Sequence, residues 1–596
     1  MRELSICGWN MAQAETQFQG EKMSHELACI MLSEAIQYAC TINKELVYAL
    51  FLDARSAFDR VIREILVRNL YLAGTDDHRL IYLNHRLSNR ETFCDYNKEL
   101  MGPILDVRGL EQGGISSSDE YKLYNNEQVV FAQISGLGVT LGNRTLSCIS
   151  LADDAVLLSS SITNLKNLLR LTVNYCKKYD VDLVPEKTKL LDFYPKRKDA
   201  TYDRDTVSSV HLNGQEIAFS SEALHLGVLR STESGNMPAI LDRLAAHRKQ
   251  LFSLLPTGMA SHHHCNPAAS LKVERVYCLP VLLSGLGTLI LSKAEVNIIT
   301  KYRKNILLRL MKIPPNTPDV AVYFLAGSLP AEALLHQKQL VLFNMICHLE
   351  ENFLKLHAID ILLSGDAGNS WFHNIQLICY QYGLPNPLTL LNQPMTKTKF
   401  KSLTYEKIHE FWRRKLCQEA AIDSLKFMNC SFTSLTRPHV IFTSLDGNPY
   451  QAKAACIQAS LLSGKYRTEK VKRFWSGNKE GFCLQKSCLN LNLIEDNCHF
   501  LLHCLALSEQ RRRLAAQASN ILASNPVFKP IFDAYLFCND DNLRLQFLLD
   551  CSILPMVIQA YQLFGDYVHN FLFKMTRSWC RSLHRERAKL LGHYIG

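Results

Sequence analysis

The chain has 596 residues, which is too long for a single hydrophobic core, so we expect several domains. Its hydrophobic fraction of 47% is ordinary for a folded protein, and no run of about 20 apolar residues is free of Lys, Arg, Gly and Pro, which argues against a membrane-spanning segment. The formal net charge of +10 fits a polyanionic partner. The 20 cysteines follow no dense pattern and the N-terminus lacks a secretory signal, so we expect reduced thiols in an intracellular protein, nuclear, cytoplasmic or both, that is not secreted.

The first predicted elements are a helix and a buried strand that ends in an acid. Residues 24–42 carry apolar side chains at helical spacing, which predicts a helix. Residues 46–52 form an apolar run that predicts a strand, and Asp53 follows it directly. Ser56 is the expected N-cap of a further helix that reaches about residue 72.

A turn rich in glycine and serine lies further along the chain. Gln112, Gly113 and Gly114 give a turn signal, and glycine lets the backbone approach a ligand closely. The serines that follow offer an N-cap to a helix predicted over 119–128. An ordinary capped loop explains the same residues, because Gly and Ser favour loops in any case.

Two adjacent acids, Asp153 and Asp154, lie between the short apolar runs 146–151 and 155–158. The runs predict two strands of a buried sheet, with the acids at the tip of the hairpin. An ordinary acidic turn explains this pair taken alone, since Asp is common in turns. A third acid at a strand end, Asp53, favours a site for two divalent cations, because Mg²⁺ prefers oxygen ligands and two such ions can serve both the attacking and the leaving oxygen.

Beyond the acidic pair the chain alternates helices with strands and then becomes mostly helical. Residues 162–179 have the apolar stripe of an amphipathic helix. Asn213-Gly214 predicts a tight hairpin turn, and residues 223–229 predict one further strand. The pattern over 236–430 is mostly helical, and its basic residues either contact phosphates or form solvated helix faces.

The C-terminal third contains cysteines and a histidine at paired spacings, namely Cys483, Cys488, His499 and Cys504. Three cysteines and one histidine are a recognised tetrahedral zinc set, and these spacings are near the usual range. Cys498 and His503 are rival ligands in the same stretch. A group of buried thiols without metal is the alternative interpretation.

Five stretches agree, in order, with motifs of one family: the chain resembles the reverse transcriptase of non-LTR (LINE-type) retrotransposons. The similar stretches are the first catalytic motif at 52–59, the template and nucleotide motif at 108–118, the Ala-Asp-Asp box at 152–154, the motif after it at 183–189, and the primer-grip strand at 224–228. Ahead of these, only residues 17–20 resemble the end of the family's fingers. We therefore expect a C-terminal portion that lacks the endonuclease and most of the fingers.

The resemblance implies roles for individual side chains. Asp53, Asp153 and Asp154 would hold two Mg²⁺ ions, and Lys187 would be the general acid toward the pyrophosphate leaving group. The residues implied to contact the nucleotide or template are Phe58, Arg108, Gln112, Gly113 and Ser117. The residues implied to hold the primer are Leu226 and Gly227. The cysteine and histidine set at 483–504 is similar to a structural zinc module of the same retroelement proteins.

We therefore expect an α+β multidomain protein organised as a right-hand polymerase. The expected segments are a fingers remnant with the palm entry helix (1–42), a palm with an antiparallel sheet (43–232), a helical thumb (233–330), a helical connector (331–460), a zinc-binding module (461–520) and a basic helical C-terminal region (521–596). The predicted function is RNA-directed DNA polymerase, with an RNA template, a DNA primer and dNTPs as partners. The alternative is a catalytically inactive, truncated retroelement remnant that binds nucleic acid.

Overall fold

The computed structural model describes residues 5–6, 9–10, 24–88, 90–111, 113–114, 116–195, 209–257, 265–365, 369–421, 423–428, 435–445, 447–473 and 480–592. The chain divides into two compact units. The first unit comprises Met1–Asp242, Leu283–Glu295 and Leu335–Thr404, and the second unit comprises Arg243–Leu282, Val296–Leu334 and Tyr405–Gly596. Among the helices that are described, none has both the length and the apolar character needed to cross a membrane.

The described strands all belong to the first unit. They are β1 (Ser5–Ile6), β2 (Trp9–Asn10), β3 (Val47–Leu52), β4 (Ala54–Arg55), β5 (Arg90–Tyr96), β6 (Glu99–Asp106), β7 (Val139–Leu141), β8 (Arg144–Leu146), β9 (Cys148–Leu151), β10 (Asp154–Ser159), β11 (Asp182–Leu183), β12 (Lys189–Phe193), β13 (Val210–Leu212), β14 (Gln215–Ile217), β15 (Glu222–His225) and β16 (Val228–Ser231).

The described α-helices run through both units. They are α1 (His25–Tyr38), α2 (Arg63–Leu72), α3 (Asp77–Leu87), α4 (Ser117–Ile134), α5 (Ile162–Lys178), α6 (Met237–Ser253), α7 (Pro267–Val273), α8 (Leu279–Leu283), α9 (Lys293–Met311), α10 (Asp319–Ala326), α11 (Ala331–Cys347), α12 (Phe353–Ser364), α13 (Trp371–Tyr382), α14 (Pro387–Asn392), α15 (Lys397–Glu419), α16 (Val440–Thr443), α17 (Pro449–Leu462), α18 (Glu469–Lys472), α19 (Ser508–Ala523), α20 (Lys529–Tyr535), α21 (Asp541–Leu549), α22 (Pro555–Phe564) and α23 (Asp566–Leu590).

A four-stranded antiparallel sheet in the order β12-β3-β10-β9 forms the centre of the first unit. All six residues of β3 are buried, which explains why its sequence is continuously apolar instead of alternating. The remaining strands pair in twos, as β1-β2, β4-β11, β5-β6, β7-β8, β13-β14 and β15-β16. Apolar side chains of α2, α4 and α5 pack with those of the central sheet in one hydrophobic core, which holds the end of β3 rigidly.

Two local predictions in this unit are wrong. Ser56 does not cap a helix: it is exposed, has a φ of +49° and lies in a turn, and α2 begins only at Arg63. The expected single strand over 223–229 is instead the hairpin β15-β16, whose two turn residues, Leu226 and Gly227, have φ values of +49° and +78°. Positive φ at both central residues is the geometry of a tight hairpin turn.

The second unit, where it is described, is helical. The buried amide of Gln458 on α17 donates to Thr576 Oγ1 of α23 at 3.0 Å and to the Leu548 carbonyl of α21 at 2.7 Å. A second buried link is ionic: Arg587 of α23 donates to both carboxylate oxygens of Glu495, at 2.7 and 2.6 Å. These links join α17 to α21 and to the C-terminal helix α23, and they attach the stretch around residue 495 to α23 as well.

Candidate active site and metal cluster

Strand pairing gathers the three acids of the first unit. The antiparallel register of β3 and β10 places Leu52, the residue before Asp53, opposite the residue that follows Asp154. The turn that joins β9 to β10 consists of Ala152, at a φ of +53°, and Asp153. Because both features lie at the same end of the sheet, the carboxylates of Asp53, Asp153 and Asp154 are neighbours.

The three carboxylates perturb one another. Partial desolvation, followed by the charges of Asp153 and Asp53, raises the pKa of Asp154 to about 6. Desolvation also raises the pKa of Asp153, with a smaller contribution from the charge of Asp53. Each residue of the acidic pair is nevertheless exposed as a whole, so cations in solution can reach it. Crowded acids of this kind attract cations, because a bound cation removes their mutual repulsion.

Lys187 lies beside this cluster. Its Nζ is 3.2 Å from Asp53 Oδ1, and both side chains are partly exposed. The loop that carries the lysine is held by a backbone hydrogen bond, in which the Val184 N–H donates to the carbonyl of Asp53 at 2.9 Å. One ammonium against three carboxylates leaves two negative charges uncompensated within this group of four side chains.

Phe58 rests on an aromatic neighbour from α4. Its ring stacks on Tyr121 with the ring centroids 4.7 Å apart and an interplanar angle of 24°. Burial, and to a smaller extent the charge of Asp153, raise the pKa of the Tyr121 hydroxyl. Tyr121 therefore supports the ring of Phe58 and lies within electrostatic range of Asp153.

Asn125 of α4 fastens the acidic turn. Its Nδ2 donates to Ser150 Oγ at 3.2 Å and to the Ala152 carbonyl at 3.4 Å. Asn125 and Tyr121 were not among the site residues predicted from the sequence. Their spacing of four residues on a predicted helix put them on one face, but nothing in the sequence indicated that this face meets the acidic turn.

The residues implied to contact nucleotide or template have different surroundings. Arg108 is exposed and pairs with Asp180 at 2.7 Å. Gly113 has a φ of +85°, and no atom of the described residues lies within 4 Å of the position that a Cβ would take. Ser117 is 2% exposed, and its hydroxyl has no hydrogen-bond partner among the described residues, so it is not presented to solvent. Gln112 lies outside the described residues.

The implied primer-holding residues form the tip of a hairpin that is anchored near the acids. Leu226 and Gly227 are its turn, and the neighbouring His225 is buried with its ring centroid 5.5 Å from that of Phe51 on β3. Burial, followed by the charge of Arg230, lowers the pKa of His225 to about 3, so the ring stays neutral. The hairpin is thus packed on β3, the strand that Asp53 directly follows.

The second unit brings together the predicted zinc set. The ligand atoms of Cys483, Cys488, His499 and Cys504 all lie within 4.8 Å of one another, and all four residues are buried. The sulfurs of Cys488 and Cys504 are 3.9 Å apart. A tetrahedron with Zn–S bonds of 2.3 Å has S–S edges of about 3.8 Å. His499 Nε2 is buried without a hydrogen-bond partner among the described residues, so this donor set fits a tetrahedral zinc ion.

The rival ligands belong to a separate group. Cys498 and His503 lie with Asp541, and the ligand atoms of this trio are also within 4.8 Å of one another. His503 Nε2 is 2.6 Å from Asp541 Oδ2, and Cys498 Sγ is 4.0 Å from the same oxygen. The two candidate ligand sets are therefore distinct in space.

Comparison with known proteins identifies a family for part of the first unit. Residues 8–217 match the family model described as reverse transcriptase (RNA-dependent DNA polymerase). The matched stretch contains the three acids and Lys187 and ends before Leu226. The chain therefore carries a reverse transcriptase domain across this stretch of the first unit. No curated protein matches the chain.

Solved structures similar to the chain include two telomerases. Telomerase from Candida albicans, in complex with a TWJ fragment of telomeric RNA, is 12% identical over 62% of this chain and 54% of that chain, with a TM-score of 0.26. Apo telomerase from Candida tropicalis is 10% identical over 66% of this chain and 58% of that chain, with a TM-score of 0.30. The chain spans little more than half the length of these structures, and TM-scores this low support no functional argument.

Proposed function

We propose that the chain is an RNA-directed DNA polymerase of the non-LTR (LINE-type) retrotransposon class, which extends a DNA primer on an RNA template by two-metal nucleotidyl transfer. The observation that carries the proposal is the convergence of Asp53, Asp153 and Asp154 at one end of the central sheet. When bound, a pair of Mg²⁺ ions activates the primer 3′-hydroxyl and stabilises the pyrophosphate that leaves.

The three acids and Lys187 have different roles in the proposed reaction. The three carboxylates supply the hard oxygen ligands that Mg²⁺ requires, and Asp53 is placed by a buried strand that cannot move freely. Lys187 is hydrogen-bonded to Asp53, which supports the proposal that its ammonium group would lie near the phosphates of a bound nucleotide and give a proton to the leaving pyrophosphate. Its ion pair with Asp53 exchanges for contacts with phosphate when a nucleotide binds.

Phe58 is proposed to lie under the sugar of the nucleotide and exclude a 2′-hydroxyl. The stack on the buried ring of Tyr121 fixes its orientation, which is what a steric selection requires. Gly113 leaves open space beside the backbone for a nucleotide or template base. Arg108 is the further proposed contact among the described residues, and Ser117 supports it from inside through its buried position. The contact assigned to Gln112 stays a prediction from the sequence. The Leu226-Gly227 turn is the proposed primer grip.

In the second unit, we propose a structural zinc ion held by the Cys483, Cys488, His499 and Cys504 set. A closed set of four protein ligands leaves no open position, which is typical of a structural site rather than a catalytic one. Basic helices of the proposed thumb and C-terminal region would neutralise phosphates of the template–primer duplex. The proposed compartment is the nucleus, the cytoplasm or both.

One observation favours the alternative of an inactive remnant that only binds nucleic acid. Two cations assigned to the nucleotide site are paired with carboxylates: Lys187 with Asp53, and Arg108 with Asp180. If these pairs persist on binding, the duplex is gripped without incorporation of nucleotides.

Primer extension tests the proposal. The full chain is given an RNA template, an annealed DNA primer, dNTPs and Mg²⁺, and incorporation is compared between the wild type and Asp153→Asn. The variant removes one charge with little change of shape, so we expect incorporation to fall at least about a hundredfold, equivalent to about 3 kcal/mol of lost transition-state stabilisation. The matched control is Asp77→Asn, an exposed acid at the start of α3, which should retain full activity.

Duplex binding by fluorescence anisotropy separates the two candidates. Binding that weakens with salt, together with extension that depends on Asp153, supports the polymerase. Binding of the same strength with no incorporation by the wild type supports the inactive remnant. Equal extension by wild type and Asp153→Asn would rule out the assigned acids.

A further inference from the structure

The histidine of the zinc set belongs to a widened helical turn. Residues His499–His503 form a π-helical turn, closed by a hydrogen bond from the Cys504 N–H to the His499 carbonyl. In an α-helix with 3.6 residues per turn, side chains five positions apart point about 140° away from each other. A π-turn closes after five residues and brings such pairs onto one side, and turns of this kind are frequent at functional sites.

The π-turn aligns two pairs of ligand-bearing side chains at once. His499 and Cys504 form one pair and complete the buried zinc set with two further cysteines. Cys498 and His503 form the other pair, one residue earlier in each case. Because the two pairs are offset by one residue, they face different neighbours, and the second pair meets the carboxylate of Asp541 on α21.

The second trio offers three different donor atoms. A thiol sulfur, an imidazole nitrogen and a carboxylate oxygen all lie within 4.8 Å of one another. The side chains of His503 and Asp541 are 50% and 41% exposed, so solvent reaches the cluster directly. Asp541 Oδ1 also pairs with Arg544 at 3.2 Å, which leaves Oδ2 facing the thiol and the imidazole.

We propose that Cys498, His503 and Asp541 form a second metal site, which binds Zn²⁺ through Sγ, Nε2 and Oδ2 with water in the fourth position. Sulfur, nitrogen and oxygen ligands together suit zinc, whereas Mg²⁺ and Ca²⁺ take oxygen alone. Three protein ligands plus one solvent ligand are a recognised tetrahedral arrangement for zinc. A metal here would fasten α21 to the π-turn, next to the buried zinc site that the same turn completes.

The positions of Cys498, His503 and Asp541 can also be explained without a metal, and the experiment must distinguish that explanation from zinc binding. Asp541 is an acid in the first turn of α21, where the helix dipole favours it, and a plain hydrogen bond joins it to His503. On that explanation the three side chains hold no metal, and changing Asp541 alters no metal content.

Zinc stoichiometry of the full chain decides between the two. Protein equilibrated with Zn²⁺ and then passed through a desalting column is analysed for metal per chain, in the wild type and in Asp541→Asn, His503→Gln and Asp540→Asn. We expect two zinc ions per chain in the wild type and one in each of the first two variants. Asp540→Asn is the matched control, because asparagine replaces aspartate well as the N-cap of α21, and it should keep both ions.

The zinc ion of the buried set is measured separately with Cys488→Ser, because this variant removes a ligand of that set only. This variant should retain one ion, and combining it with Asp541→Asn should leave none. A zinc content that is the same in Asp541→Asn as in the wild type, whether one or two ions per chain, overturns the proposal; a single ion that is lost in Cys488→Ser but kept in Asp541→Asn belongs to the buried set. Circular dichroism of each variant checks that it is folded. A misfolded Asp541→Asn is replaced in the comparison by His503→Gln, whose exposed side chain can change without disturbing the core.

Discussion

Replacement of Asp154 with asparagine should make the folded protein more stable at neutral pH while removing a proposed metal ligand. Partial desolvation and the charges of Asp153 and Asp53 raise the pKa of Asp154 from 3.8 to about 6. At about 1.36 kcal/mol per pKa unit, this corresponds to at most about 3 kcal/mol of unfavourable interaction in the charged form. Because Asp154 is exposed, solvent screening reduces the expected value to about 1 kcal/mol.

The sign of the pH dependence follows from the raised pKa. Near pH 4 the Asp154 carboxyl of the folded protein holds its proton and costs little. As the pH rises through about 6 the folded state must lose that proton, which the unfolded state has already lost, so stability declines. The wild type and Asp154→Asn should therefore be equally stable near pH 4, and the variant should be more stable by about 1 kcal/mol at about pH 7.5.

Hydrogen exchange of the β10 amides is the suitable assay, because it measures local opening and does not require the whole two-unit chain to unfold in one step. With EDTA present, the β10 amides of the variant should exchange about fivefold more slowly than those of the wild type at the higher pH. Added Mg²⁺ should protect the wild type and have little effect on the variant. The control is Asp95→Asn, which removes an exposed acid from β5.

The reasoning fails if β10 of Asp154→Asn is less protected than that of the wild type at about pH 7.5, or if the difference between them is the same at both pH values. Either result would mean that the crowding of the carboxylates does not limit the stability of the sheet end. A protective effect of Mg²⁺ in both proteins would mean that the cation binds elsewhere.

Two further predictions concern the stability of the fold. Arg587→Met leaves the carboxylate of Glu495 buried without its cation and should lower the free energy of unfolding of the second unit by about 3–5 kcal/mol in urea titrations, whereas Lys589→Met, at an exposed ion pair, should change it by less than about 1 kcal/mol. A larger effect of the lysine change would contradict this. Gly109→Ala and Gly113→Ala strain the backbone alike, at φ values of +81° and +85°, but only the first places its new Cβ 2.7 Å from a backbone oxygen, so its melting temperature should fall further. Equal melting temperatures would show that the structure around Gly109 adjusts to the new Cβ at little cost in free energy.

Some features of the first unit were predictable because they depend on local chemistry. The apolar run before Asp53 is a buried strand, and Asn213-Gly214 is a tight turn with φ values of +51° and +82°, as an Asn-Gly pair favours. The family match over residues 8–217 confirms a reverse transcriptase domain there, as the motifs within that stretch predict. The LINE-type class, the six-segment division and the roles of individual residues stay predictions.

Other features depend on tertiary structure and could not be deduced locally. A leucine at positive φ is rare, so nothing in the sequence signalled that Leu226 is in a turn. The separation of His503 from the buried zinc set requires a π-turn and the carboxylate of Asp541, which lies 38 residues further along the chain. Spacing alone therefore left Cys498 and His503 as rivals of the actual cluster members.

The backbone bond between Val184 and Asp53 determines which parts of the acidic site move as one piece. The lysine loop is attached to the end of β3, whereas Asp153 and Asp154 belong to the β9-β10 hairpin. A small molecule that displaces only the turn between β9 and β10, and with it Asp153, would change the spacing of the three acids and leave the distance from Lys187 to Asp53 unchanged. Such a molecule would weaken the proposed metal binding without disturbing the proposed proton donor, and would therefore compete with the cation.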